Sequence, residues 1–84
     1  MMADDIAARV KRVTAELLKV EPAKVQESSQ FVEDLGAASI QSIELVAAFE
    51  EEFGVEMDQD EALSVKTIAD ATAYIQKVMA GQAK

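Results

Sequence analysis

The sequence predicts an all-α fold with three long helices, one short one and a long loop between helices one and two. Three observations carry this: apolar residues recur at helical spacing in three stretches, no stretch alternates with period two, and Pro22, Gly54 and Gly81 fall where those stretches end. No internal repeat or low-complexity tract interrupts them. The 84 residues are read as a single domain over 1–84, since compact domains run from about 50 to 250 residues. Half of the chain is apolar, yet a chain this short buries only about 60–65% of its unfolded surface and leaves little room for a large catalytic cavity.

Helix one is expected over 4–19. Ile6, Val10, Val13 and Leu17 share one face, Asp4 and Asp5 suit the positive end of the helix dipole, Lys19 suits the negative end, and Pro22 forbids continuation. The 20–38 stretch is long for a connection inside a compact domain. Val25, Phe31, Val32 and Leu35 are spaced through it as apolar pins that tuck under the helices. So long a crossover implies that helices one and two are not simple hairpin neighbours. Helix two is expected from Ser39 to Phe53, with Gly54 as its stop. Asp60 to Val65 has room for a short helical turn or two. Thr67, with Asp70 three residues later, resembles a capping box and opens the last helix, which Ile68, Ala71, Thr72, Ile75, Val78 and Met79 carry as far as Gly81.

Helix two has two faces. At 100° per residue, Ser42, Leu45, Val46, Phe49 and Phe53 fall within an arc of about 100°, with Ile43 at its edge, the width of a core-facing stripe. Ile40, Glu44, Ala47 and Glu51 fall opposite, within about 60°. A large aliphatic residue among carboxylates, next to a serine at a helix start, has the form of an apolar anchor with steering charges. A single exposed aliphatic residue is also ordinary.

Composition excludes whole classes of chemistry. With no Cys and no His the chain lacks thiolate nucleophiles, imidazole bases, disulfides and the usual zinc ligands. The formal charge of −8 is uneven. Residues 1–32 hold five acids and five bases, whereas 33–70 hold eleven acids against Lys66 alone, a net of −10. That field repels nucleic acid and anionic lipid and attracts partners with basic patches. The longest apolar run, Leu45 to Phe49, is far short of a membrane span or signal-peptide core. A soluble cytoplasmic protein without membrane insertion is expected. Asp58-x-Asp60 lacks the Asn/Asp-Gly and distant Glu of a calcium-binding loop, and no metal ligands are assigned.

Ser39 stands at a helix start, where unpaired backbone N–H groups and the dipole favour an anion. It reads as an N-cap or as a modification site. As a nucleophile it lacks a His, a G-x-S-x-G setting and a nearby Lys or Arg, so no catalytic residue is assigned and another enzyme would have to activate it.

Asp34-Leu35-Gly36-Ala37-Ala38-Ser39-Ile40, then Ile43-Glu44-Leu45-Val46 and Glu50-Glu51-Glu52-Phe53-Gly54, resemble the acyl carrier proteins of dissociated fatty acid and polyketide synthases. The resemblance runs from helix one to Tyr74-Ile75. It implies a monomeric four-helix bundle that is not an enzyme. Ser39 would carry a 4′-phosphopantetheine arm installed by a phosphopantetheinyl transferase. Acyl groups held on the arm as thioesters would be presented to acyl-transferring and acyl-modifying enzymes of fatty acid, lipid or polyketide biosynthesis. It further implies a partner surface at Ile40, Glu44, Ala47, Glu50, Glu51, Glu56 and Asp60, and an acyl pocket lined by Phe31, Val32, Phe49, Met57, Ala62, Val65, Ala71 and Tyr74. A packed core accounts for the same eight residues, and both readings hold at once if the core opens on loading. The chain departs from the family pattern at Ala38, where an aspartate is usual, at Gln41, where an acid is common, and at Ala47 and Phe49. The first bears on which transferase handles Ser39, and Phe49 on how deep a chain enters. An aminoacyl or peptidyl carrier of non-ribosomal synthesis is the nearest alternative, and an unmodified acidic adaptor the alternative from another class.

Overall fold

A computed structural model describes residues 2–82, with side chains from 6 to 81; the side chains of Asp4 and Asp5, assigned above to the helix dipole, lie outside the described residues. Four α-helices follow in order: α1 (Met2–Leu18), α2 (Ser39–Phe53), α3 (Gln59–Leu63) and α4 (Ile68–Gln82), with a single 3-10 turn at Pro22–Lys24. α1 packs on both α2 and α4, although the whole 19–38 segment separates α1 from α2. Ile6, Val10 and Val13 from α1, Leu45 and Phe49 from α2, and Ile68, Ala71 and Ile75 from α4 form the core. The expected stripes of all three long helices therefore meet.

The ends of the helices have their own causes. α1 stops before Pro22, because Lys19 takes a left-handed conformation (φ 60°) and the Val20 N–H reaches back to the Ala15 carbonyl at 3.1 Å. Gly54 ends α2 in the same left-handed region (φ 65°), where glycine carries no steric penalty. α4 is capped by Thr67, whose Oγ1 accepts the Asp70 N–H at 3.1 Å. That helix runs through Gly81 to Gln82, so Gly81 is not the stop that the sequence suggested.

The crossing segment is pinned partly as expected. Val25 and Phe31 are buried and Leu35 packs against the core. Val32 is corrected: it is 60% exposed, in the turn at 31–35 where its neighbour Phe31 takes the buried position. The larger part of the pinning is backbone. Phe31 N–H donates to the Lys66 carbonyl, Ile68 N–H to that of Ser29 and Ala69 N–H to that of Glu27, at 2.8–3.0 Å. Gln30 and Thr67 form an isolated antiparallel bridge, the one extended pairing among the described residues. The loop is thus stitched to the start of α4.

Candidate functional site

The Asp34-Leu35-Gly36 run builds the approach to α2. Asp34 Oδ2 accepts the Gln30 N–H at 2.8 Å, the Asp34 and Leu35 N–H groups return to the Gln30 carbonyl, and the Ala37 N–H closes on the Phe31 carbonyl at 2.8 Å. Gly36 sits at φ 76°, with nothing within 4 Å of where a Cβ would be. Backbone conformation and not crowding therefore favours glycine there.

This turn delivers Ala38, in extended geometry, as the N-cap of α2, and Ser39 as its first helical residue. The N-cap reading of Ser39 is thereby corrected, since the capping position falls one residue earlier, on a side chain without an acceptor. Gln41 contributes the other half of a capping arrangement, its Oε1 accepting the Ala38 N–H at 2.9 Å. That gives Gln41 a local role at a position where the sequence marked only a missing acid. The first helical bond runs from the Ser42 N–H to the Ala38 carbonyl. The N–H groups of Ser39, Ile40 and Gln41 have no acceptor among the described residues, and neither does the exposed Ser39 hydroxyl make a hydrogen bond there. An exposed, unengaged hydroxyl beside three free N–H groups suits a phosphodiester.

One turn along α2 from Ser39 begins the lining of a cavity of about 250 Å³. Ser42, one turn on from Ser39 and on the same side of α2, is part of its rim, and Leu45, Val46 and Phe49 continue down the same face. All eight residues named from the sequence, Phe31, Val32, Phe49, Met57, Ala62, Val65, Ala71 and Tyr74, line it. The pocket read from the sequence left out Ser42, Leu45 and Val46, which it placed on the core stripe of helix two, as well as Leu63, Ile75 and the polar Gln30, Glu33 and Lys66. The sequence places Ile75 in the last helix, and its spacing from Ala71 is the signal that puts the two on one face. The Phe31 and Phe49 rings meet at 6.5 Å between centroids, tilted by 60°, within the favourable range for aromatic pairs. Tyr74 spans to the start of α3: its hydroxyl accepts the Asp58 N–H at 3.2 Å and lies 3.3 Å from Glu61 Oε1. Partial burial, with the Glu61 and Asp58 charges adding to it, pushes the phenol above its ordinary range, and the hydrogen bond with Asp58 opposes this.

On the opposite face, Ile40 is 64% exposed, and Glu44, Ala47 and Glu51 are exposed along the same side of the helix. Glu44, Ala47, Ala48, Glu50 and Glu51 line a shallow depression there. Glu50 is half-buried, and its Oε2 accepts the Met57 N–H at 2.8 Å. It is not simply an outward charge. Ile43, placed at the edge of the core stripe, is 44% exposed. Glu56 and Asp60 are exposed beyond the helix, Asp60 in the first turn of α3, whose N-cap Asp58 accepts the Glu61 N–H. No helix among the described residues is long and apolar enough to cross a membrane.

Comparison with known proteins bears on the same residues. The family described as a phosphopantetheine attachment site matches residues 8–75. The acyl carrier protein of Sinorhizobium fredii (strain NBRC 101917 / NGR234) is 50% identical over 76 residues, spanning 90% of this chain and 97% of that protein. The acyl carrier protein AcpP of Rhizobium meliloti (strain 1021) is similar to the same extent, 50% over 76 residues.

Proposed function

This chain belongs to the acyl carrier proteins, the family built around a phosphopantetheine attachment site, and on that premise we propose that Ser39 bears the arm, within one carrier domain spanning 1–84. The protein is a carrier and not an enzyme. It holds acyl intermediates for fatty acid synthesis and works with a phosphopantetheinyl transferase and with synthase enzymes. The arm supplies the thiol that this cysteine-free chain lacks.

The observation that carries the assignment is the pairing of an exposed, unengaged Ser39 hydroxyl with an open helix start, on the helix whose Ser42, Leu45, Val46 and Phe49 line a largely apolar cavity. The three free N–H groups of Ser39, Ile40 and Gln41 receive the phosphodiester, while the cavity between α2, α3 and α4 shelters an acyl chain among Phe31, Val32, Phe49, Met57, Ala62, Val65, Ala71 and Tyr74. Such a lining favours aliphatic cargo over the polar backbone of a peptidyl carrier's load. Ile40 and Ala47 serve as the apolar contact for partner enzymes, with Glu44, Glu50, Glu51, Glu56 and Asp60 around them recruiting basic patches in the cytoplasm, where the carrier acts as a monomer.

Intact mass after incubation with coenzyme A and a broad-specificity transferase tests this. The wild type gains one phosphopantetheine and Ser39→Ala gains none, with the helical circular dichroism of the two alike. Labelling that persists in Ser39→Ala, or moves to Ser42, defeats the assignment.

A further inference from the structure

Polar side chains along the cavity differ in what they hold. The Ser42 hydroxyl donates to the Ala38 carbonyl at 3.4 Å, and Tyr74 is tied to Asp58 and Glu61. Lys66 and Gln30, which also line the cavity, keep their side-chain donors free: neither the ammonium nor the carboxamide has a hydrogen bond or ion pair among the described residues. Main chain fixes both residues at one seam. The Phe31 N–H donates to the Lys66 carbonyl at 3.0 Å, and Gln30 bridges Thr67, so both stand where the crossing loop meets the start of α4. Lys66 is exposed and Gln30 half-buried. A lysine in such a setting lays its stem along apolar surface and keeps its charge in water. Lys66 is also the only base between residues 33 and 70, where it faces eleven acids. The one cation lining the cavity is therefore unpaired within an acidic segment.

We propose that Lys66, with Gln30 beside it, is a specificity-determining residue for acyl groups that end in a second carboxylate, the half-thioesters of dicarboxylic acids whose two ends are separated by methylenes. This rests on the reading of Ser39 as the attachment site and names a cargo class for the same cavity. A plain alkyl chain needs only apolar neighbours such as Phe31, Phe49 and Val65. A carboxylate at the far end of the chain is costly to leave among them. At the seam it stays in water, pairs with the ammonium and accepts from the carboxamide, while the methylenes keep their apolar contacts. Glu33 lines the same cavity and opposes this with its own charge. An exposed pair of this kind contributes only a few-fold to an equilibrium, which sets a preference between cargoes without excluding alkyl ones.

Suberoyl and octanoyl arms, transferred to Ser39 from their coenzyme A thioesters by a broad-specificity transferase and verified by intact mass, test this. Hydroxylamine attack on the thioester reads the shelter. In wild type the suberoyl thioester is cleaved no faster than the octanoyl one. In Lys66→Glu the suberoyl thioester is cleaved about fivefold faster, with the octanoyl rate within about twofold of wild type. Lys77→Glu makes the same charge change at an exposed α4 residue outside the cavity lining and leaves both rates near those of wild type. A second readout is the titration of a 13C-labelled terminal carboxyl by NMR: a nearby cation favours its charged form, so its pKa is lower in wild type than in Lys66→Gln, and Glu33→Gln lowers it further. Equal suberoyl-to-octanoyl ratios in wild type and Lys66→Glu, or a terminal carboxyl that titrates alike in wild type and Lys66→Gln, overturn the proposal. If Ser39 does not load, the carrier reading and this proposal fall together, whereas loading followed by equal ratios removes this proposal alone.

Discussion

Arg9 and Glu52, 43 residues apart, are joined twice: Arg9 Nε donates to Glu52 Oε2 at 2.8 Å, and Arg9 Nη2 donates to the Glu52 backbone carbonyl at 2.7 Å. Arg12 adds a second bond to the carboxylate at 2.7 Å, and the Arg9 guanidinium lies 4.4 Å from the centre of the Phe53 ring. α1 thereby supplies a donor to a carbonyl in the last turn of α2, where the helix has no further N–H of its own to offer. The C-terminal end of α2 is clamped, while its first turn, at Ser39, is open.

The hydrogen bond from Arg9 holds the Glu52 carboxyl below the usual carboxylate range, against a smaller effect of partial burial and with Arg12 adding to the lowering. A group whose pKa is lower in the folded state stabilises the fold above its unfolded value, near 4.3 for Glu, and loses that contribution as pH falls through the folded one. Glu52→Gln should therefore melt below wild type at neutral pH, and the gap should close in acid below the ordinary Glu range. Melting curves of the two proteins across pH check this; a gap that stays constant into acid contradicts it.

Ala38→Asp places a carboxylate at an N-cap that is exposed and already extended (φ −78°, ψ 167°), in reach of the free Gln41 N–H. It should stabilise the protein by about 0.5–2 kcal/mol in denaturant titration. No gain would mean that water satisfies the helix start as well as a side chain does.

Thr14 is fully buried, and its hydroxyl has no partner among the described residues. Thr14→Val keeps the shape and removes the unsatisfied group, so it should raise stability by about 1 kcal/mol. A lower melting temperature would show that the hydroxyl is satisfied by buried water.

Phe49 is the bulkiest α2 side chain in the cavity and packs on Phe31. Phe49→Leu should destabilise the protein by about 1–2 kcal/mol and let longer acyl chains be sheltered. Thioester hydrolysis rates over a series of chain lengths read this directly. Protection should extend to longer chains in the variant than in wild type, and an unchanged limit would place the end of the cavity elsewhere.

Much of this arrangement is legible in side-chain pattern. The helical period of α2 separates buried Leu45 and Phe49 from exposed Ile40, Glu44 and Glu51, and its ends fall at Ser39 and Gly54 as the sequence suggests. The resemblance names eight residues that converge on one cavity. What was not legible depends on backbone or on distance. The bonds from residues 27–31 to 66–69 use main-chain groups that any sequence possesses, and the Arg9–Glu52 contact joins two surface charges whose helices had first to be placed. Val32 failed as a pin because it lines the cavity while remaining largely exposed, whereas its neighbour Phe31 is buried in the core. Glu50 looked like its neighbours Glu51 and Glu52 in sequence, yet the three carboxylates have different surroundings: one holds Met57, one faces solvent and one meets two arginines.

The stitching of the crossing loop to the start of α4 has a consequence for biosynthesis. Glu27, Ser29 and Phe31 find their backbone partners at Ala69, Ile68 and Lys66, so the turn that presents Ser39 cannot settle until that part of the chain exists. On a translating ribosome, the segment around Ser39 leaves the exit tunnel well before α4 does. During that interval the nascent chain offers a serine in an unformed turn, a poor substrate for a transferase that reads folded shape. Attachment of the arm proposed for Ser39 would then wait until residues 66–69 have been made and have paired with the crossing loop.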